Sequence, residues 1–147
     1  MYLDGEMHIY NVSSHDTTTL SRTGSINMKV LNHGMNDNED PITAMEHFEG
    51  LTYILRERQN TIEAWDLTRA TMVSEMSLPA VSTNDKWVGM AFERKNNEKS
   101  ALRKSAGASV VLHMPLDTYP PQLWSFQVGE GTSGAFTLPE CEEMTMN

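Results

Sequence analysis

The stretch "NTIEAWDLTRATMVSEMSLP", residues 60–79, constrains the fold of this chain more than any other feature. It holds two short alternating runs of apolar and polar residues, joined by a polar turn and closed by a proline. Alternation with a period of two marks a strand that turns one face to a core. In "TMVSEMSL" it puts Met72, Met76 and Leu78 on one face and Val73, Glu75 and Ser77 on the other. In "QLWSFQV" it groups Trp124, Phe126 and Val128, with Leu123, Ser125 and Gln127 opposite. "LTYILRE" and "SVVLHM" are denser apolar runs of strand length, as strands covered on both faces require. Turn clusters such as "SSHD", "STND", "DTYPP" and "GEGTSG" separate these runs, and helical periodicity is nearly absent. The reading is an all-β fold, with room for a short helical turn only in "ERKNNEKSALRK".

The hairpin of residues 60–79 recurs. Ile62, Trp65 and Leu67 map onto Leu123, Phe126 and Val128 at an offset of 61, and onto Met7, Tyr10 and Val12 at an offset of 55 the other way. The pair Leu78–Pro79 returns as Leu138–Pro139 at an offset of 60. Each copy is followed by a turn and a further candidate strand. In the second copy "ITAMEHFEG" and "LTYILRE" precede the hairpin, and in the third "KWVGMAF" and "SVVLHM" do so. The expected organisation is a half unit over about 5–30, a four-stranded unit over about 41–79 and another over about 85–139.

Four-stranded units with "TIEAWDL" as third strand resemble β-propeller blades of the WD40-like kind. The Gly-His dipeptide of those blades is missing, since "NHG" carries the pair in reverse. "FEGLTYILRERQNTIEAWDL" is similar to blades of phytase-like six-bladed propellers, in which an "EG-(I/L)" motif precedes the strand. "KWVGMAFE" is similar to a second such motif, with Val88 where the pattern would place the glutamate. The resemblance spans most of residues 5–139 and implies a partial β-propeller of about two and a half four-stranded antiparallel blades. In those families motif glutamates help to ring a metal in the central channel, so the resemblance implies such a place for Glu49 and none for Val88. A closed propeller needs roughly four to eight blades. The expectation is therefore a fragment of a longer propeller, a degenerate relative, or a protomer that pairs with others. The rival fold is a small β-sandwich whose strands merely look alike.

Composition narrows the function classes. A net charge of -9 argues against a nucleic-acid partner, which needs a basic surface. Five of the basic residues (Arg94, Lys95, Lys99, Arg103 and Lys104) fall in one stretch without aromatics, which reads as a solvated loop. No run approaches 18 consecutive apolar residues, so no membrane helix is expected. Cys141 is the only cysteine, and Glu140, Glu142 and Glu143 beside it disfavour a thiolate.

"MEHFEG" carries the best local chemistry. His47 and Glu49 share one face of a strand while Glu46 takes the other, and an imidazole with a carboxylate two residues on can share a divalent cation. His47 and Glu49 are thus the candidate metal ligands, with calcium binding expected to be weak because no third ligand can be placed. "NDNED", residues 36–40, is oxygen-rich but lacks the ligand spacing and central glycine of an EF-hand loop. Ser109 and His113 share a run, yet no serine sits in a G-x-S-x-G elbow. Trp65, Trp87 and Trp124 each lie in an alternating run and are expected in the core. No catalytic set and no resident cofactor emerge. The expected function is a non-catalytic binding module or fragment of a larger propeller protein, whose partners are missing blades, a second copy or another protein. The alternative is a fragment of a phytase-like metal-dependent hydrolase with Glu49 near the channel.

Overall fold

A computed structural model describes residues 6–12, 20–27, 41–95 and 109–138. The "NHG" and "NDNED" segments, the surroundings of Cys141 and most of "ERKNNEKSALRK" lie outside the described residues. Those described form an all-β fold of three antiparallel sheets without a helix. The first is a hairpin of β1 (Glu6–Val12) and β2 (Leu20–Asn27). The middle sheet is a four-stranded meander of β3 (Ile42–Phe48), β4 (Leu51–Arg56), β5 (Thr61–Asp66) and β6 (Thr71–Ser77). The third holds β7 (Lys86–Trp87), β8 (Ala91–Lys95), β9 (Ser109–Asp117), β10 (Gln122–Glu130) and β11 (Phe136–Thr137).

Turn chemistry sets the registers. Glu49 (φ 47°) and Gly50 (φ 86°) form a two-residue loop of the left-handed kind that suits the strand twist, so Phe48 pairs with Leu51. Asn60 is also left-handed, and its side-chain amide donates to the carbonyls of Leu78 (3.1 Å) and Pro79 (3.0 Å). This ties the β4–β5 turn to the segment that leads into the third sheet. Asp66 holds the β5–β6 turn by accepting from the Thr68 hydroxyl (2.6 Å) and the backbone N–H groups of Thr68 and Arg69. These bonds, the Thr68 hydroxyl foremost, hold the Asp66 carboxyl below its ordinary value.

The middle sheet is covered on both faces, which is why "TYILR" is buried throughout despite its arginine. One face, with Tyr53, Leu55, Ile62, Ala64 and Met76, shares a core with Trp87, Phe92, Leu112, Met114 and Val128 of the third sheet. The other face brings Ile54, Trp65 and Leu67 against Met7, Ile9 and Ile26 of the hairpin. Arg56 and Glu63 lie on this second face, 3% and 5% exposed, joined by Nε to Oε1 at 3.2 Å and a second guanidinium nitrogen to Oε2 at 3.3 Å. The Trp65 indole N–H donates to the same carboxylate at 2.8 Å.

Two details depart from the sequence reading. The strand expected over "KWVGMAF" divides into β7 and β8, both paired to β9, because residues 89 and 90 step out of the ladder. Gly89 fits there since a Cβ would stand 3.1 Å from the Pro115 ring. The last strand is only two residues long, and the third sheet curls so that β11 returns to the middle sheet. The Phe136 N–H donates to the Tyr53 hydroxyl (3.0 Å), and its ring meets Phe48 and Phe92 edge-on or tilted.

Of the three tryptophans expected in the core, Trp87 is buried, Trp65 is half-buried and Trp124 is 41% exposed. Trp124 still packs edge-on against Trp87 at 5.9 Å between ring centres.

Candidate functional site

Alternation along β3 sends the residues of "MEHFEG" to different places. Glu46 points between the sheets, where its carboxylate accepts the Phe92 backbone N–H of β8 at 2.8 Å. His47 takes the opposite face, with Nδ1 3.0 Å from the Thr52 hydroxyl. Glu49 sits in the turn, and Arg94 of β8 reaches it with Nε at 2.5 Å. Arg94, read as part of a solvated loop, is thus one half of a tie between sheets. His47 and Glu49 each have a protein partner of their own. Among the described residues no group of three histidines, cysteines or acids is placed to hold a metal ion.

Burial raises the Glu46 carboxyl above its ordinary value, and the bond from Phe92 offsets part of that rise. A carboxyl whose pKa is higher in the folded state binds protons more tightly there, so its ionised form subtracts stability at neutral pH. Glu46→Gln keeps an oxygen acceptor for Phe92 and removes the charge. It is expected to raise the melting temperature at neutral pH. The gain should shrink as pH falls through the raised folded pKa, and vanish below the ordinary glutamate range of about 4.3. Thermal melts of both proteins across that pH range check the sign.

A second cluster lies on the face of the third sheet turned away from the middle sheet. Register pairs Ala91 with His113 and His113 with Ser125, so three strands contribute neighbouring side chains. Nε2 of His113 lies 2.8 Å from a Glu93 oxygen, and Nδ1 lies 2.8 Å from the Ser125 hydroxyl. This order of acid, imidazole and hydroxyl is that of an activated nucleophile. It lies on an open sheet face, however, with Glu93 and Ser125 exposed. The backbone of β9 beside it is engaged in the strand ladders on either side, not aimed at a reacting carbonyl as acyl transfer requires. Its contacts join polar groups across three strands. Sequence reading found His113 but paired it with Ser109 on the same strand. Only the cross-strand register identifies Ser125 and Glu93 as its partners.

A cleft of about 320 Å³ opens where the β4–β5 turn meets the segment entering β7. Asn60, Ser82, Asp85 and the buried Trp87 line it, and an ion pair of Lys86 with Glu57 stands at its wall. The Trp87 indole N–H has no hydrogen-bond partner among the described residues. Sequence reading did not find this cleft, since its walls come from a turn and a linker rather than from a motif.

No protein-family model, curated protein or solved structure matches the chain. The site and the fold therefore carry the functional reading on their own.

Proposed function

We propose that this chain is a non-catalytic interaction module built of propeller-type blades, of which it supplies about two and a half. One observation carries the reading: the facing of three strands, β1, β5 and β10. Met7, Ile62 and Leu123 all face forward along the stack, the first two into the following sheet. Trp65 and Phe126 face backward into the preceding sheet, and Tyr10 takes the same side of β1. A register shift falls between Ile9 and Tyr10 in the first hairpin and between Ala64 and Trp65 in the second, at the matched position. Sheets related in this way stack in one direction and bury one kind of interface repeatedly, as blades do.

The groups with chemical potential are engaged in holding strands and sheets together. Glu46 binds backbone, Glu49 binds Arg94, and Glu93 binds His113. The alternative, a metal-dependent hydrolase fragment with Glu49 at a channel metal, requires Glu49 to exchange Arg94 for a cation. With few protein oxygens to replace its waters, calcium is expected to bind only in the millimolar range, as in roughly the weakest known sites. Calorimetric titration with calcium and a phosphatase and esterase panel test the proposal. No turnover and no tight site are expected. Micromolar calcium binding lost in Glu49→Gln, or turnover by the purified chain, would sink the non-catalytic reading.

A further inference from the structure

Among the described residues the stack leaves one forward face and one backward face uncovered, and the two match the halves of the contact between its inner sheets. Ile62, which faces forward in the middle sheet, is 1% exposed, whereas Leu123 at the matched place in β10 is 68% exposed. Trp65 faces backward against the hairpin, whereas Tyr10 at the matched place in β1 is 49% exposed. Val88 and Pro115 lie in the same cross-strand row as Leu123, since the Val88 N–H donates to the Pro115 carbonyl and Pro115 pairs with Leu123. Val88 is itself exposed, so the forward face of the third sheet carries an apolar row beside the Glu93–His113–Ser125 ladder.

We infer that the occupant of this face is a second copy of the chain, stacked head to tail, with the Tyr10 face of one copy on the Leu123 face of the next. The inference rests on reading the sheets as successive blades. Such a contact continues the internal packing: an aromatic from β1 enters where Phe126 enters against the middle sheet. The polar ladder does not oppose it. Glu93, His113 and Ser125 satisfy one another, and the interface between hairpin and middle sheet already buries a polar set of Arg56, Glu63 and Trp65. The contact is heterologous, because the two patches differ, so copies add in one direction until a ring closes or a filament grows.

Sedimentation of the whole chain over a wide concentration range tests this. The wild type is expected to associate. Leu123→Glu and Tyr10→Glu, both at exposed positions, are each expected to sediment as folded monomers, with circular dichroism reporting the fold. Mixed together, the two variants are expected to form a dimer that grows no further, since one intact pair of faces remains. A Tyr10→Glu protein that still associates would show that Leu123 faces pair with each other, and would overturn the head-to-tail contact. A mixture that stays monomeric while the wild type associates overturns it too. A wild type that is monomeric throughout and shows no turnover overturns self-stacking alone, whereas turnover overturns the interaction-module reading beneath it.

Discussion

Glu63→Ala is expected to destabilise the protein by about 3–5 kcal/mol, the cost of removing one partner from a buried ion pair. Glu63 accepts two bonds from Arg56 and one from the Trp65 indole, and both charged side chains are almost wholly out of water. The substitution strips the guanidinium of that carboxylate while it stays buried, and leaves the indole N–H without its acceptor. The double variant Arg56→Met with Glu63→Leu distinguishes the penalty of losing Glu63 alone from the worth of the pair. It replaces both charges by apolar groups of similar length and is expected to lie within about 1–2 kcal/mol of the wild type, or above it. Urea unfolding of the three proteins reads both values. A single variant that loses under about 1 kcal/mol would show that water reaches Arg56 between the hairpin and the middle sheet.

Phe92→Ala is expected to cost a similar amount, about 3–5 kcal/mol, for a different reason. Its ring stacks on Phe48 at 5.1 Å and lies tilted against Tyr53 at 4.5 Å and Phe136 at 6.5 Å. Those three rings come from β3, β4 and β11, so removing Phe92 leaves a cavity that no single strand can collapse to fill. Leu123→Ala, on the open face, is the control and should change stability by no more than about 0.5 kcal/mol at concentrations where the chain is monomeric. Chemical denaturation with tryptophan fluorescence separates the two. Equal losses would mean that the forward face of the third sheet is covered as the middle one is.

Charge carries a clear division of labour in this acidic chain. Arg56 works inside a sheet, Arg94 between sheets, and Lys86 at the cleft wall with Glu57. None of these pairings could be assigned from spacing along the chain. Arg94 lies 45 residues from Glu49, and the Glu46 bond to Phe92 spans 46. Such contacts depend on how two sheets are docked, which alternation within a strand leaves free.

What the sequence by itself determined is local. Period-two alternation placed β5, β6 and β10, dense apolar runs of strand length placed β4 and β9, and turn residues between the runs bounded them. Alternation in "QLWSFQV" also told that Phe126 and Val128 share a side apart from Leu123, since that depends on the strand alone. The tertiary structure decided the rest. It divided "KWVGMAF" at Gly89, where a Cβ would press within 3.1 Å of the Pro115 ring on the neighbouring strand. It left Trp124 half open and sealed Trp87, although both lie in alternating runs, because burial depends on what covers a face. It gave Glu49 to Arg94, His47 to Thr52 and His113 to Ser125 and Glu93, because a side chain's partner is set by register and docking across strands. Periodicity fixes direction only along an unbroken ladder. The register shift opposite Trp65 leaves Met72 exposed and packs Val73 against the core with Met76, and packing fixes what each side chain meets.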